Sequence, residues 1–202
     1  QPDGLDLIIG KKSVVEFDAK AVELKVSPIA ALTDKQGSTT QHGLIVVPAK
    51  DPANAVADLK NYRIIFGAQE CDEKYSAALA LLKKNGVTVK QPLETCSACS
   101  DGATKILELG ADVRAATVIS SYAKPLLEGC GTVKKGDLRV VGQTDPVPFV
   151  TAFATDRVSD QELAKIRECL LGIVEMPTLC LALETQLGFV ELEQPATVAK
   201  KK

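Results

Sequence analysis

The sequence contains little of what enzymes commonly use for acid–base and nucleophilic chemistry. Its only histidine is His42, and neither a GxSxG nor an HExxH motif is present. A single histidine leaves few candidates for a general base, and no Ser–His–acid order stands out. The sequence therefore argues against an enzyme, and we expect neither catalytic residues nor a cofactor.

The chain also lacks an excess of positive charge and any long hydrophobic run. Its 24 Lys and Arg against 26 Asp and Glu give a net charge of -2, which argues against a basic surface for nucleic acid or anionic lipid. No apolar run approaches the roughly 20 residues of a membrane span. Residues 1–10 resemble a loop and a strand rather than a signal peptide. We therefore expect a mature or truncated fragment that lacks an upstream segment.

Cysteine, in contrast, is plentiful. The six cysteines are Cys71, Cys96, Cys99, Cys130, Cys169 and Cys180. Their even number fits three disulfides in an oxidising compartment, and the alternative is six buried or free thiols. Cys96 and Cys99 form a CxxC pair, but it lacks the histidine of a haem attachment site and the second CxxC of a zinc site.

Short apolar runs alternate with helical patterns along the chain. The predicted strands are Leu5–Ile9, Leu44–Val47, Arg63–Phe66, Ala115–Ile119, Leu138–Val141 and Phe149–Phe153. The predicted helices are Asp72–Lys84, Asp101–Leu109, Tyr122–Glu128, Ser159–Ile173 and Thr178–Gln186. Ser159 and Glu162 are spaced as a capping box. This alternation predicts an α/β protein with a largely parallel sheet.

Four stretches resemble, in the same order, segments of a known family. They are GLDLIIGKKSVV (Gly4–Val15), GSTTQHGLIVVPAKDPANAVADLKNYRIIFG (Gly37–Gly67), AATVISSYAKPLLEG (Ala115–Gly129) and LRVVGQTDPVPFVTAFATDRVS (Leu138–Ser159). Together they are similar to type II periplasmic solute-binding proteins, in the phosphonate- or phosphate-binding (PhnD-like) branch of the ABC transporter receptors. The resemblance covers most of residues 4–190 and lacks the family's N-terminal strand and helix.

The resemblance implies a two-lobe α/β fold with mixed sheets flanked by helices, in which the N-terminal part of lobe one is missing. Residues 1–46 and 138–202 would form lobe one, and residues 47–137 would form lobe two. The two segments in which the chain passes from one lobe to the other, here called the crossings, would act as the hinge of a Venus flytrap. The hinge would close the lobes on a ligand in the cleft. The resemblance also implies a periplasmic or extracytoplasmic location and an ABC transporter permease as partner.

The same resemblance indicates which polar residues contact the ligand. Such sites hold phosphate-like groups with hydroxyls, backbone N–H groups and helix N-termini. The candidates are Ser38, Thr39, Thr40, His42, Cys71, Asp72, Ser97, Ser100, Ser121, Tyr122 and Asp145. Structural roles remain open for three of them: His42 as a structural hydrogen-bonding group, Ser100 as a helix cap and Asp145 as a turn residue.

One stretch departs from the family pattern. Glu70, Asp72 and Glu73 place negative charge where the family has neutral hydroxyls. Carboxylates at a helix start interact with the helix dipole themselves, and they would repel a phosphate. Either these side chains point away from the ligand, or the ligand is not a simple oxyanion.

The sequence thus favours a non-catalytic receptor that captures a small oxyanion, such as phosphonate or phosphate, for an ABC transporter. An alternative is a metal- or cofactor-handling module that uses Cys71, Cys96 and Cys99 together with His42 and nearby acids. A second alternative is a non-transport binding domain docked in a larger redox or sensory assembly.

Overall fold

The computed structural model describes residues 4–110 and 113–192. The strands in these residues are β1 (Leu7–Lys11), β2 (Val26–Leu32), β3 (Thr40–Gln41), β4 (Gly43–Pro48), β5 (Arg63–Phe66), β6 (Glu94–Thr95), β7 (Ala115–Ser120), β8 (Leu138–Gln143), β9 (Val147–Pro148), β10 (Val150–Thr155) and β11 (Phe189–Val190). The α-helices are α1 (Lys12–Ala21), α2 (Ser76–Lys84), α3 (Cys99–Glu108), α4 (Ala123–Gly129), α5 (Asp160–Leu171) and α6 (Pro177–Ala182). Short 3-10 helices span Val56–Leu59, Asp72–Lys74 and Gly172–Glu175. None of the helices in the described residues has both the length and the apolarity needed to cross a membrane.

The chain divides into two compact units. Unit 1 comprises residues 1–39 and 148–202, and unit 2 comprises residues 40–147. The lobe boundaries expected from the sequence fell at residues 46 and 138, which differs from this division. The reason is that β4 and β8 pair with each other within the sheet of unit 2, so the crossings lie outside both strands. At the crossings themselves, β3 and β9 pair in a separate two-stranded sheet.

The sheet of unit 1 has the strand order β1-β10-β2-β11, and its neighbouring strands are antiparallel. The prediction of a largely parallel sheet is wrong for this unit, because β10 lies between β1 and β2 and runs opposite to both. Strand β2 was not predicted, since Pro28 interrupts its apolar run. The structure accommodates this proline at a register shift opposite Phe153, which is a position where a sheet tolerates a residue without an N–H.

Helix α5 starts as the sequence predicts. The Ser159 N–H donates to Glu162 Oε2 at 3.0 Å, and the Glu162 N–H donates to Ser159 Oγ at 3.4 Å. These two bonds form the reciprocal capping box. Leu163, Ile166 and Leu170 of the helix then pack against the core of unit 1.

The sheet of unit 2 has the strand order β6-β5-β7-β4-β8. Strands β5, β6 and β7 are parallel, whereas β4 runs antiparallel to both of its neighbours. Strand β4 is buried on both faces: Ile45 joins the core with Phe66 and Leu82, and Val46 joins the core with Ile106. The sheet is therefore mixed, as the family resemblance implies.

The predicted helix Asp72–Lys84 is wrong at its start. A 3-10 turn over Asp72–Lys74 comes first, and Tyr75, with φ -122° and ψ -82°, separates it from α2. The Tyr75 ring packs edge-on against Phe66 with 6.1 Å between ring centroids. Glu73 and Lys74 are both buried. The turn therefore packs against the end of the sheet and is not the exposed first turn of a helix.

An ion-pair network holds the short edge strand β6 to its neighbours. Arg63 donates two hydrogen bonds to the Glu94 carboxylate, at 2.7 and 2.8 Å, and Lys105 of α3 donates a third at 2.6 Å. The Arg63 hydrogen bond is the main reason that the pKa of Glu94 falls from 4.5 to about 2; the Lys105 bond adds to it, and partial burial opposes it. The network fixes the start of the loop that leads into α3.

Replacing Glu94 with glutamine should remove a pH-dependent part of the stability. A carboxylate with a folded-state pKa of about 2 and an ordinary value of 4.5 stabilises the fold above the ordinary value and loses this effect as pH falls through the folded-state value. After allowance for solvent screening, we expect the free energy of unfolding of the wild type to fall by about 1 kcal/mol over this window. Urea unfolding across this pH range measures it.

The matched control is Glu108→Gln, at an exposed position of α3, the helix that carries Lys105. This variant should keep the wild-type pH profile. Equal pH profiles for the wild type and Glu94→Gln would contradict the stabilising role of the network.

Candidate functional site

The loops of unit 2 converge at one edge of its sheet. The carboxyl ends of the parallel strands β5, β6 and β7 meet there, and the antiparallel β4 brings its amino end to the same place. Gly43 pairs with Ser120, and Leu44 pairs with Gln143, so the carboxyl end of β8 lies there too. We call this the strand-end edge. Ligands of open α/β sheets bind outside the carboxyl ends of the strands.

Backbone and hydroxyl hydrogen bonds fix the start of β4 at the strand-end edge. The Ser121 N–H donates to the His42 carbonyl at 2.8 Å, and the His42 N–H donates to Ser121 Oγ at 3.3 Å. The Gly43 N–H donates to Thr144 Oγ1 at 2.8 Å, and the Thr144 N–H donates back to the Gly43 carbonyl at 2.9 Å. The segments after β7 and β8 are thus tied to the segment before β4.

The ring of His42 is oriented by the backbone. Its Nδ1 lies 2.8 Å from the Thr144 carbonyl oxygen. A carbonyl oxygen only accepts hydrogen bonds, so Nδ1 carries a proton in this contact. The neutral ring therefore presents Nε2 as a hydrogen-bond acceptor, and a donor at Nε2 exists only in the doubly protonated form.

Gly43 allows the Asp72–Lys74 turn to pack directly on β4. A Cβ atom at Gly43 would lie 1.9 Å from the Glu73 carbonyl oxygen and 2.9 Å from its carbonyl carbon. No side chain fits at this distance, so only glycine permits the approach of the two backbones. The absence of a side chain at Gly43 thereby sets the position of the turn.

The two acidic side chains of this turn have different environments. Glu73 is fully buried, and Ser120 Oγ donates a hydrogen bond of 2.6 Å to its Oε1. Hydrogen bonds to a carboxylate are among the stronger ones in proteins. Asp72 is exposed, and Ser76 Oγ donates to its Oδ1 at 3.1 Å. The Glu73 carboxylate is thus held inside the sheet edge by Ser120.

Lys74 lies beside this buried carboxylate and is itself only 6% exposed. Its stem covers Gly67, where an added Cβ would lie 2.5 Å from Lys74 Cβ and 2.7 Å from its Cε. Burial lowers the pKa of Lys74, but Cys99, Cys71 and Glu73 together raise it by more, so that it lies above its ordinary value. The ammonium group is therefore charged at neutral pH.

The N-terminus of helix α3 is capped by a side chain from its own first turn. The helix begins at Cys99 rather than at Asp101, and the Asp101 carboxylate accepts the Ala98 N–H at 3.1 Å. Ser100 therefore lies in the first turn, where its Oγ donates to Asp101 Oδ1 at 3.3 Å. The cap expected from Ser100 is supplied by Asp101 instead.

A model of a protein family matches most of the chain. The family is described as "ABC transporter, phosphonate, periplasmic substrate-binding protein", and the match spans residues 7–194. The chain belongs to this family. The family consists of periplasmic receptors that bind a small ligand and serve an ABC transporter, not of enzymes. The resemblance inferred from the sequence is thereby confirmed.

Solved structures of periplasmic binding proteins share the fold of this family member. XAC2383 from Xanthomonas citri, bound to ATP, has a TM-score of 0.72 and 17% sequence identity over 94% of this chain and 72% of that chain. PhnD1 from Prochlorococcus marinus, in complex with methylphosphonate, has a TM-score of 0.67 and 14% identity over 94% of this chain and 74% of that chain. The aliphatic sulphonate binding protein SsuA from Escherichia coli has a TM-score of 0.60 and 19% identity over 89% of this chain and 54% of that chain.

These likenesses confirm the two-lobe α/β fold expected from the sequence. At such low identities they establish the fold alone. None of the curated proteins matches this family member significantly.

The six cysteines are free thiols in this structure, so the expected disulfides are not formed. The CxxC pair shows the reason. Cys96 Sγ donates to the carbonyl oxygens of Phe66, at 3.4 Å, and Ala98, at 3.3 Å, whereas Cys99 Sγ lies 3.9 Å from Ser120 Oγ. The two sulfur atoms are therefore directed to different partners.

The described residues also contain no cluster of the kind that the metal-handling alternative requires. Across residues 4–110 and 113–192, no three His, Cys, Asp or Glu side chains are arranged to hold a metal ion. His42 points its Nδ1 at a backbone carbonyl, and Glu73 is bonded to Ser120.

Most of the ligand contacts predicted from the sequence lie in segments that meet at the strand-end edge. These residues are Thr40, His42, Cys71, Asp72, Ser97, Ser100, Ser121, Tyr122 and Asp145. Ser97 and Asp145 are exposed, and Tyr122 is 45% exposed. Ser38 and Thr39 belong to unit 1, where the Ser38 N–H donates to Asp34 Oδ1 at 2.8 Å in a turn.

The sequence analysis did not identify several polar residues that are buried at this edge. They are Gln41, Lys74 and Thr144, and the burial of Glu73 was not expected either. Charged residues at a predicted helix start are normally exposed, so nothing in the local pattern indicated the burial of Glu73 or Lys74. The one available signal was glycine at two strand ends, Gly43 and Gly67, which marks close approach of other chain segments.

Replacing Gly43 with alanine should destabilise unit 2. The new Cβ would collide with the Glu73 carbonyl, so we expect a loss of about 1–3 kcal/mol in the free energy of unfolding, as for other overpacked sites. Urea unfolding measures this loss. Gly129→Ala is the control, since no atom lies within 4 Å of its new Cβ, and Gly43→Ala as stable as this control would contradict the packing of the turn on β4.

The tautomer of His42 gives a second prediction. Because Nδ1 faces a carbonyl oxygen, the neutral imidazole should be the Nδ1–H tautomer. Nitrogen-15 NMR of the imidazole measures this directly, and the spectrum is simple because the sequence has one histidine. Thr144 contributes a backbone oxygen, so Thr144→Ala should leave the tautomer unchanged. A dominant Nε2–H tautomer would show that this contact is absent in solution.

Proposed function

We propose that the protein is the extracytoplasmic substrate-binding component of an ABC transporter and that it captures a small phosphonate- or phosphate-like oxyanion. The observation that carries the proposal is the convergence of the strand and helix ends of unit 2 at the strand-end edge, in a chain that belongs to the phosphonate-binding family. Oxyanions are held in such places by hydroxyl groups, backbone N–H groups and helix N-termini.

The ligand class rests on the family and on three of the structural neighbours. Their structures contain methylphosphonate or ATP, or belong to a binding protein for aliphatic sulphonates. These molecules carry acidic phosphorus or sulfur oxygens. A phosphonate or phosphate ester is therefore the first ligand to test for this chain, and a sulfonate is the second.

The residues proposed to contact the ligand in unit 2 are Thr40, His42, Cys71, Asp72, Ser97, Ser100, Ser121, Tyr122 and Asp145, with Ser38 and Thr39 proposed from unit 1. Ser121 has the best-supported position among them, because its hydroxyl and N–H both bond His42 at the strand-end edge. The proposal includes an ABC transporter permease as the protein partner, a location outside the cytoplasmic membrane, and no cofactor.

A thermal-shift screen tests the proposed function. Phosphate, methylphosphonate and methanesulfonate are added at equal ionic strength, with sodium chloride as the reference. A ligand at a hundredfold excess over its Kd stabilises the protein by about 2.7 kcal/mol, so a true ligand should raise the melting temperature clearly. No stabilisation by any oxyanion at millimolar concentration would refute the proposal.

Ser121→Ala should weaken the effect of the best ligand, because a hydroxyl donor at the strand-end edge is removed. Thr88→Ala removes an exposed hydroxyl after the C-terminal end of α2, away from this edge, and should behave like the wild type. Equal responses of the two variants would place the ligand elsewhere.

A further inference from the structure

Two of the six cysteines lie together at the strand-end edge and have no role in the site as described so far. Cys96 directly follows β6, and Cys99 is the first residue of α3. Both are partly exposed. In CxxC motifs and at helix N-termini, cysteines can become much more reactive than an ordinary thiol. The surroundings of the two sulfur atoms decide whether this applies here.

The fold brings the sulfur of Cys96 close to the backbone of Cys99. Cys96 Sγ lies 3.3 Å from the Ala98 carbonyl oxygen. Standard peptide geometry places that oxygen about 2.8 Å from the Cα atom of the next residue, which is Cys99. Cys96 Sγ therefore lies within about 6 Å of the Cα atom of Cys99.

The same sulfur atom packs against the first turn of α3. A Cβ atom at Gly102, which follows Cys99 by three residues, would lie 3.1 Å from Cys96 Sγ. Glycine at this position leaves room for the sulfur. Cys96 and Cys99 are thus neighbours in space as well as in sequence. Joining their sulfur atoms requires a local rearrangement of the side chains and of the two-residue link between them, not of the sheet or the helix.

The two sulfur atoms have opposite kinds of hydrogen-bond partner. Cys96 Sγ lies 3.4 Å from the Phe66 carbonyl oxygen in addition to its contact with Ala98. A carbonyl oxygen only accepts hydrogen bonds, so Cys96 retains its proton in these contacts. Burial also raises the pKa of its thiol. Cys99 Sγ instead accepts the Ser120 N–H at 3.4 Å.

Positive charge also lies close to Cys99. This residue begins α3, so it lies at the positive end of the helix dipole. Burial lowers the pKa of Lys74, and Cys99 has the largest of the effects that raise it. The opposing charges are the carboxylates of Asp101, which accepts the N–H before Cys99, and Glu73, which is bonded to Ser120. A helix N-terminus and a neighbouring lysine are typical surroundings of a nucleophilic cysteine.

We propose that Cys96 and Cys99 form a redox-active dithiol site that reacts with small disulfides. Cys99 is the attacking cysteine, because its sulfur accepts an N–H beside a cation. Cys96 is the resolving cysteine, because its thiol remains protonated until the first step has occurred. The structure shows the reduced form of the site. This inference goes beyond the proposed function and does not depend on the class of ligand.

The exchange proceeds in two balanced steps. The Cys99 thiolate attacks one sulfur of the small disulfide, whose S–S bond breaks, and the first small thiolate leaves and takes up the proton that Cys99 lost. The Cys96 sulfur then loses its proton and attacks the Cys99 sulfur of the mixed disulfide. The second small thiolate leaves and takes up that proton. Two cysteine thiols are thereby oxidised to one disulfide, and the small disulfide is reduced to two thiols.

Peptide mapping of the native wild-type protein after incubation with glutathione disulfide tests the site. Trypsin releases residues 91–105 as one peptide that contains Cys96 and Cys99 and no other cysteine. With the remaining thiols blocked, we expect this peptide to be lighter by two hydrogen atoms and to carry no glutathione. The control Cys130→Ser removes an exposed thiol elsewhere in unit 2 and should give the same peptide. Two free thiols, bound glutathione or a cross-link to the peptide that contains Cys71 would overturn the proposal.

Single variants identify the attacking cysteine. Cys96→Ser leaves Cys99 without a resolving partner, so a mixed disulfide with glutathione should accumulate on the peptide of residues 91–105. Cys99→Ser leaves only the protonated thiol of Cys96, and we expect its modification to be at least about tenfold slower in the native protein. In urea the fold no longer distinguishes the two thiols, so both variants should react at about the same rate.

Equal rates in the native variants, or faster modification of Cys96, would show that Cys99 is not the attacking residue. A tenfold difference that persists in urea would show that the fold does not cause it, and this result would also contradict the assignment. The mapping of the wild type decides the existence of the site even if one of the variants does not fold.

Discussion

The geometry of unit 2 depends on one strand, β4, which is buried on both faces and runs against the direction of its neighbours. Ile45 and Val46 anchor it in two separate cores. Because β4 is antiparallel to β7, its amino end lies beside the carboxyl end of β7. The residues before β4 thereby join the loops that follow the parallel strands. A parallel β4 would have delivered these residues to the opposite edge of the sheet.

The turn after β5 shows how a sequence with several acids can still offer a positive charge. Glu73 is turned inward and bonded to Ser120, while Asp72 is exposed. Lys74 is buried next to Glu73 and remains charged. The acidic composition of the segment therefore says little about the electrostatic potential at this edge of the sheet. The burial and the direction of the Asp72, Glu73 and Lys74 side chains determine this potential.

The sequence was a good guide where one apolar pattern is sufficient and a poor guide where tertiary packing decides. The strand Arg63–Phe66 is predicted residue for residue, because a run of buried apolar residues ends at glycine. Strand β2 is missed, since Pro28 looks like an interruption until a register shift in the sheet accommodates it. The positions of the candidate site loops follow from the family resemblance. The burial of Lys74 and Gln41 does not, because it arises from contacts between segments distant in sequence.

The division into units also has a consequence for the order in which the chain folds. Unit 2 is one continuous segment, residues 40–147, so it can fold as soon as that segment has been synthesised. In unit 1, the sheet partner of β1 is β10, and the partners of β2 are β10 and β11. All of these partners emerge after unit 2, and closing such long loops is slow. Strand β2, whose two neighbours in the sheet are β10 and β11, therefore waits for them until the last third of the chain leaves the ribosome.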